Sequence, residues 1–176
     1  FKHSSGQYIA YLDDDDEWLS SKLEKQVPVL LKLPPSYGMV YCWMDYYDSE
    51  NKIFHEHHSK LRGYVFPKVL DVQRLGGCPT LLVRREVFET VTGFDESLPR
   101  GNDGDFIRRV CRKYAVDFIP EVLVKVHTAH GYSRISDNDL EGIQNHIVSG
   151  LTKIRKFQSI LEKLPKERAN IFFDLA

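Results

Sequence analysis

The stretch that decides the fold runs from residue 8 to residue 18 and reads YIAYLDDDDEW. Its first part, residues 8–12, is a short apolar run rich in β-forming side chains, which predicts a strand buried on both faces. Its second part places five consecutive carboxylates, residues 13–17, directly after that strand. Because open α/β sheets bind ligands at the carboxyl ends of their strands, this acidic run is a candidate binding site.

The composition of the whole chain excludes several classes of protein. The 176 residues are 42% hydrophobic and carry 24 basic against 25 acidic side chains, a formal net charge of −1. Nucleic-acid binding would need a strongly basic domain, so we expect no nucleic-acid partner. No apolar run approaches the roughly 18 residues of a membrane span. Three cysteines without paired spacing favour neither disulfides nor thiolate zinc, and indicate a cytoplasmic setting.

Apolar periodicity predicts alternating strands and helices, which is typical of the α/β class. A helix is expected to start near Ser20 or Ser21, where Ser21 and Glu24 have capping-box spacing, and to be kinked or ended early by Pro28. Downstream we predict a strand over 39–47, a turn over 48–51, a returning strand over 52–57, a strand over 80–83, helices over 85–92 and 103–114, and a strand over 119–126.

The C-terminal residues 137–176 are predicted to be a helical extension of the domain. Apolar residues recur there at three- and four-residue steps, which predicts one long amphipathic helix that packs across the body: Leu140, Ile143, Ile147, Leu151, Ile154, Leu161 and Leu164. Between Lys153 and Arg168 six basic side chains outnumber two acidic ones. This charge indicates either a solvated helix face or peripheral contact with an anionic membrane surface.

The acidic run has two readings. In an extended chain Asp13 and Asp15 point to the same side, so the pair would bind one cation. Ligands that offer only oxygen suit Mg²⁺ or Mn²⁺, with phosphate and water completing the octahedron. Alternatively the acids form a solvated loop that caps the next helix.

Two blocks of sequence resemble the family 2 glycosyltransferases, which are inverting, nucleotide-sugar-dependent enzymes of the GT-A fold. Residues 8–18, followed by KLEKQ at 22–26, are similar to the DxD segment of that family. Residues 82–88, 93–98 and 101–109, which read LVRREVF, GFDESL and GNDGDFIRR, are similar to its acceptor-side block. The resemblance extends over residues 6–136 and implies that residues 1–136 are a partial GT-A domain, a mixed sheet flanked by helices.

The resemblance implies a role for each matching residue. Asp13 and Asp15 would bind the Mn²⁺ or Mg²⁺ that bridges the donor's diphosphate, with Asp13 also at the donor and Asp14 touching the ribose or the metal. Asp103 would be the general base. His127 or His130 would lie near the metal and the diphosphate. Asn102 departs from the acidic or glutamine residue that usually precedes the base.

Physical reasoning leads to similar roles. Inverting sugar transfer needs a carboxylate to accept the proton of the attacking hydroxyl and a cation to stabilise the leaving diphosphate. Asp103 starts a predicted helix, where the dipole favours its ionised form, while Asp105 points elsewhere around that helix. In the alternative reading Asn102, Asp103 and Asp105 only cap the helix.

Further candidate residues have both a functional and a structural reading. Four arginines are candidates for neutralising phosphate or for ordinary salt bridges: Arg84, Arg85, Arg108 and Arg109. Trp18 and Trp43 either stack on a sugar or pack in the core. The clustered histidines His55, His57 and His58 are expected to be exposed.

The expected function is transfer of one sugar from a nucleotide-diphosphate donor to a glycan or lipid-linked hydroxyl acceptor in surface polysaccharide or glycolipid synthesis. The QxxRW pattern of processive synthases is missing. One alternative is a non-catalytic carbohydrate-binding or assembly subunit on a degenerate transferase scaffold. Another is a Mg²⁺-dependent phosphohydrolase, which no accompanying Lys or Thr motif supports.

The resemblance also implies that the nucleotide-binding first half of the family's domain would precede residue 1. We therefore expect a fragment whose strand over 8–12 exposes an apolar edge. An unpaired apolar edge is a template for pairing with another chain, so self-association through this strand is expected.

Overall fold

The computed structural model describes residues 3–71, 74–128 and 139–175. Its strands are β1 (Tyr8–Ala10), β2 (Asp16–Trp18), β3 (Tyr37–Tyr47), β4 (Ile53–His57), β5 (Leu82–Arg84) and β6 (Ala115–His127). Its helices are α1 (Lys22–Lys32), α2 (Arg85–Thr90), α3 (Asn102–Lys113), α4 (Leu140–Lys156), α5 (Gln158–Leu161) and α6 (Pro165–Asp174), with a 3₁₀ turn at Cys78–Thr80 before β5. This is the predicted α/β class.

The sheet is mixed and is organised around β3 and β6. These two strands pair in parallel from Tyr37 opposite Ala115 to Tyr47 opposite His127. The other pairs are antiparallel, in the order β1-β5-β3-β6-β2, with β4 beside the second half of β3. The predicted hairpin from β3 to β4 is confirmed, and Asp48 Oδ1 accepts hydrogen bonds from two backbone N–H groups of its turn.

A proline lies inside the long strand β6, which begins four residues earlier than predicted. The pairing passes from Cys42 opposite Ile119 to Trp43 opposite Val122, so residues 120 and 121 of β6 are left out of the ladder. Pro120 has no N–H to donate, and a bulge is where a central strand tolerates it.

Side chains alternate between two core clusters on opposite faces of the sheet. On one face Met39 and Tyr41 of β3 pack with residues of α2 and α3. On the other face Val40 and Cys42 pack with Leu30 of α1. The central strands are therefore covered by helices on both faces.

Helix α1 starts where the sequence predicts but is built differently at both ends. Ser21 makes no side-chain cap, so the predicted capping box is absent. Pro28 does not end the helix, because it lies on the exposed face, where water can satisfy the carbonyl that loses its partner. The helix ends at Leu33, which is extended because Pro34 follows it.

Strands β1 and β5 are shorter than predicted. In β1 only Ile9 is buried, and Leu12 is 51% exposed, so the prediction of a strand buried on both faces is wrong. The chain leaves the sheet after Ala10 to enter the acidic run. Strand β5 begins at Leu82 because Thr80 belongs to the 3₁₀ turn. Self-association through β1 stays a prediction.

The C-terminal segment is helical, but as three helices instead of one. Phe157 breaks the helical path between α4 and α5, and Pro165 opens α6. Phe157, Leu161 and Ile171 are buried in a third cluster together with Leu70. The segment therefore folds back on itself around Leu70. None of the helices in the described ranges has the length and apolarity needed to cross a membrane.

The face of α4 that packs inward is not the predicted apolar stripe. Its stripe residues are 38–80% exposed: Leu140, Ile143, Ile147 and Leu151. The buried positions are instead Gly142 and Gly150. A Cβ at Gly150 would meet the side chain of Leu175 at 2.3 Å, so a larger residue there would have to displace that leucine.

Lys22 is an unusual buried cation at the start of α1. Its side chain is 1% exposed, its Nζ lies 4.2 Å from the centre of the Trp18 ring, and no described group accepts a hydrogen bond from it. Burial lowers the pKa of Lys22 to about 8. The folded protein therefore binds the proton less tightly than the unfolded chain does.

We predict that Lys22→Met stabilises the protein at pH 7. Lowering the pKa from 10.5 to about 8 costs the folded state about 3 kcal/mol, partly offset by about 1–2 kcal/mol of cation–π attraction. The expected rise in Tm is about 2–6 °C by calorimetry. The gain should shrink between pH 8 and pH 10.5, where the wild-type amine becomes neutral and the cost of its burial disappears.

Lys32→Met, at an exposed position of the same helix, is the control and should leave Tm unchanged. A lower Tm for Lys22→Met at pH 7 would show that the contact with Trp18 outweighs the cost of burial.

Candidate functional site

The acidic run forms a turn between β1 and β2. Asp16 N donates to Asp13 O at 3.3 Å, with Asp14 and Asp15 at the turn. Because this segment is not extended, the argument that placed Asp13 and Asp15 on one side by alternation is wrong. The reading as a helix cap is also wrong, since the run leads into β2 and not into α1.

This acidic turn connects the two ends of the sheet. β1 and β2 are the first and last strands in the sheet order, and only residues 11–15 join them. In a flat sheet four strand spacings would separate them by about 19 Å. The link from Ala10 to Asp16 would cover about 20 Å only if fully extended, and its hydrogen-bonded turn makes it shorter. The sheet must therefore curl, and the 3₁₀ turn contacts strands β1, β3 and β6 within the curl.

Cys78, in that 3₁₀ turn, lies close to both predicted acids. Burial raises the pKa of its thiol, and the negative charges of Asp103 and Asp13 raise it further. Two carboxylates from distant parts of the sequence therefore approach the same side chain. Sequence reasoning missed Cys78, because a lone cysteine after two glycines carries no distinctive signal.

Tyr11 anchors the start of the acidic turn. Its ring lies 5.2 Å from that of Phe94 and 6.3 Å from that of Phe106 on α3, measured between centroids. Its hydroxyl is buried without a hydrogen-bond partner among the described residues, and burial raises the pKa of Tyr11. The aromatic cluster thus holds the turn next to α3.

Asp103 lies in the first turn of α3. Gly101 precedes the helix with φ of 74°, a left-handed conformation that glycine adopts without strain. Asp103 Oδ1 accepts a hydrogen bond from the backbone N of Gly104 at 2.6 Å. Asn102 turns back, and its Nδ2 donates to Asp95 O at 2.8 Å and to Leu98 O at 3.2 Å. The prediction that Asn102 and Asp105 cap the helix is therefore wrong.

Asp105, two residues beyond Asp103, is held by ion pairs within the protein. Its carboxylate is buried between Arg109 Nε at 2.7 Å and Lys156 Nζ at 2.9 Å. Lys156 also contacts Asp95 Oδ2 at 2.5 Å, and hydrogen bonds from Lys156 and Ser97 hold the pKa of Asp95 well below its usual range. Asp105 therefore joins α3 to α4 and is not available to a ligand.

His127 ends β6 beside the acidic turn. Its Nε2 lies 3.6 Å from Glu17 Oε2. In the antiparallel pairing of β2 with β6, Asp16 is opposite Val126, so the end of the acidic turn adjoins the end of β6 that carries His127. The other candidate, His130, lies outside the described residues.

The resemblance to family 2 glycosyltransferases implies a divalent cation, which needs oxygen or nitrogen ligands from the protein. Among residues 3–71, 74–128 and 139–175, no three His, Cys, Asp or Glu side chains form a group that could hold a metal ion. Mg²⁺ and Mn²⁺ do not need such a cage, because they bind through one or two carboxylates together with water and substrate phosphate. The exposed acids of the turn fit that open kind of site.

Three of the predicted arginines have structural roles. Arg84 donates to the carbonyls of Leu30, Leu33 and Tyr37. Arg109 donates to those of Val91 and Gly93, and Arg85 to that of Gly6. These guanidinium groups therefore hold neighbouring segments of the backbone together through hydrogen bonds.

The aromatic and histidine candidates are also engaged within the protein. Trp18 Nε1 donates to Pro79 O at 2.9 Å, and Trp43 Nε1 donates to Ser59 O at 2.7 Å. His58 stacks on Trp43 and lies 2.8 Å from Asp45 Oδ1, so the expectation that His58 is fully exposed is wrong.

A cleft of about 240 Å³ opens beside Asp103, between the start of α3 and helices α4 and α6. Its lining includes Arg100, Arg108, Asp71, His146 and Lys153. Sequence reasoning missed the cleft because residues 137–176 resemble no known block, and because Lys153 was counted only as part of a basic surface.

Comparison with known proteins identifies the family of this chain. The family profile described as "Glycosyltransferase like family 2" matches residues 1–173. An uncharacterized glycosyltransferase of Rickettsia prowazekii is 29% identical over 171 residues, which are 92% of this chain and 52% of the relative. The Escherichia coli enzyme WfgD, a UDP-Glc:alpha-D-GlcNAc-diphosphoundecaprenol beta-1,3-glucosyltransferase, is 52% identical over 31 residues, 18% of this chain and 12% of the enzyme.

Among solved structures, residues 1–349 of S. aureus TarS in complex with UDP-GlcNAc superpose with a TM-score of 0.60. The identity is 11%, and the match covers 87% of this chain and 44% of that one, so the likeness concerns the fold. The predicted GT-A-type mixed sheet is confirmed by it. This chain spans about half the length of its Rickettsia prowazekii relative. Because the family profile covers nearly the whole chain, this protein is a member of glycosyltransferase-like family 2.

Proposed function

We propose that the protein transfers a sugar, with inversion, from a nucleoside diphosphate donor to a hydroxyl acceptor in surface polysaccharide or glycolipid synthesis. The observation that carries this proposal is that the acidic turn lies beside α3, the helix that starts with Asp103, because the Tyr11 ring packs 6.3 Å from that of Phe106; in agreement, Asp13 and Asp103 both raise the pKa of Cys78. An acid at the donor's diphosphate and a base at the acceptor's hydroxyl must lie on the same side of the molecule, and the shared effect of Asp13 and Asp103 on Cys78 supports this arrangement.

Asp103 is the general base of the proposed reaction. One of its oxygens accepts the Gly104 N–H, which leaves the other oxygen for the acceptor hydroxyl. The acceptor oxygen bonds to the anomeric carbon as the bond from that carbon to the diphosphate breaks. The proton passes to Asp103, and the nucleoside diphosphate leaves with the electron pair. The position of Asp103 at the start of α3 favours the ionised carboxylate that a base requires.

The acidic turn is the proposed donor side. Asp13 and Asp15 would hold Mn²⁺ or Mg²⁺, with His127 beside them and Asp14 at the ribose. The bound cation would neutralise the charge of the diphosphate as it departs. Support comes from the open arrangement of the acids and from the pairing of Asp16 with Val126, which brings the end of the acidic turn to the end of β6.

Similar proteins suggest which ligands to test. WfgD is named for UDP-Glc and for an acceptor linked to diphosphoundecaprenol, and TarS binds UDP-GlcNAc. UDP is therefore the first nucleotide probe, and a lipid-linked glycan is the proposed acceptor. The exposed lysines Lys163 and Lys166 support peripheral contact with an anionic membrane.

We predict that Asp103→Asn lowers the rate of sugar transfer by about 10²–10⁴-fold, because an amide cannot accept the proton. Transfer is measured in the full-length protein that carries this chain, with radiolabelled UDP-sugars and membrane extract as the source of acceptor. UDP binding should be retained, since Asp103 lies on the acceptor side.

The matched control is Glu96→Gln, which neutralises an exposed carboxylate of the loop before α3 and should leave transfer unchanged. Full activity of Asp103→Asn would reject Asp103 as the base and favour a non-catalytic role for this site.

We also predict that UDP binding depends on a divalent cation and on the acidic turn. Removing the cation with EDTA, or substituting Asp13→Asn or Asp15→Asn, should weaken binding at least roughly tenfold in calorimetry, because the diphosphate loses its counter-charge. Glu50→Gln, in the exposed hairpin turn, should bind like the wild type. Equal affinity with and without Mn²⁺ would contradict a metal role for the acids.

A further inference from the structure

The cleft beside Asp103 has two walls from distant parts of the chain. One wall is the start of α3, with Gly101, Asp103 and Gly104, and the other is α4 and the end of α6. Its volume of about 240 Å³ lies below the roughly 300–1,000 Å³ of pockets for drug-sized ligands. A group about the size of one sugar ring is the appropriate occupant.

The cations that line the cleft have hydrogen-bond donors to spare. Arg108 is only 8% exposed, and its one hydrogen bond runs from Nε to Leu70 O at 2.9 Å. Lys153 Nζ has three N–H groups, of which one is directed at Asp71 O at 3.1 Å. No other group in the described part of the chain accepts a hydrogen bond from Lys153 or from the Nη atoms of Arg108.

Most carboxylates of the cleft, unlike these cations, are already engaged in hydrogen bonds or ion pairs within the protein. Asp71 accepts a hydrogen bond from Asn170 Nδ2 at 2.8 Å, Asp174 lies 3.5 Å from His146 Nε2, and Asp105 is held by Arg109 and Lys156. Within residues 3–71, 74–128 and 139–175, the one hydrogen bond that Asp103 accepts through its side chain comes from the N–H of Gly104. The cleft thus offers an acceptor at Asp103 and unused donors at Lys153 and Arg108.

A ligand that fits must donate to Asp103 and accept from the two cations. Hydroxyl groups on adjacent carbons do both. An anion fits less well, because four carboxylates line the cleft against Arg100, Arg108 and Lys153.

The wall formed by α4 is fixed to the loop that precedes α3 and Asp103. Ser149 Oγ donates to Arg100 O at 2.7 Å, and Arg100 Nη1 donates to Gly142 O at 3.3 Å. Lys156 joins the same helix to Asp95 and Asp105. Hydrogen bonds and ion pairs therefore fix the distance between the two walls of the cleft.

We infer that this cleft is an acceptor subsite for a polyhydroxylated unit, a sugar or polyol, and that the C-terminal helices supply one of its walls through Lys153. This inference rests on the proposed function, and it gives residues 139–175 a part in choosing the acceptor.

The inference that the cleft is an acceptor subsite is tested by the binding of methyl glycosides. Methyl glucoside, methyl galactoside and methyl N-acetylglucosaminide are titrated against the full-length protein by saturation-transfer NMR, with glycerol phosphate as the anionic probe. At least one glycoside should bind the wild type, Lys153→Ala should weaken it at least roughly fivefold, and Lys153→Arg should recover most of the loss. Lys163→Ala removes an exposed lysine of the same segment and should match the wild type.

UDP affinity with Mn²⁺ is measured on the same samples and should be equal in all of them. Absence of glycoside binding, equal glycoside binding by Lys153→Ala, or binding of glycerol phosphate alone would overturn the inference. Failure of the wild type to bind UDP would instead count against the proposed function, so the two failures are distinguishable.

Discussion

The parallel pairing of β3 with β6 is the contact on which the rest of the structure depends. It runs the full length of both strands and leaves each with a second edge. The free edge of β3 takes β5 along its first half and β4 along its second half. The free edge of β6 takes β2, which brings the acidic turn to the sheet. Because α3 leads directly into β6, the same pairing also places Asp103.

Charge is the second organising feature of the site. Five adjacent carboxylates repel one another, and Lys125 Nζ, 3.2 Å from Glu17 Oε1, offsets part of that charge. Asp105 is neutralised by Arg109 and Lys156. No cation of the described ranges forms an ion pair with Asp103, and this contrast between two aspartates of one helical turn separates a structural carboxylate from a candidate base.

Local sequence determined the class of the fold, because alternation of strands and helices and the order of the two acidic blocks are properties of short segments. Prediction from local sequence was wrong where contacts between distant residues determine a helix end, a cap or a buried face. Pro28 is tolerated only because its side of α1 faces solvent, and Ser21 makes no cap although its spacing with Glu24 suits one. The exposed stripe on α4 misled the prediction because the inward face is built from Gly142 and Gly150, which periodicity of apolar residues cannot detect. The cleft was missed for a related reason, since Arg108 and Lys153 meet only after the tail folds back.

The curvature of the sheet depends on the number of residues that link β1 to β2. Inserting amino acids between Tyr11 and Asp15 would relax that curvature and carry the carboxylates away from the 3₁₀ turn. The exposed hairpin loop after Asp48 bears no comparable restriction. Length variation among homologues should therefore concentrate at the hairpin and spare the acidic segment, even where individual side chains in that segment differ.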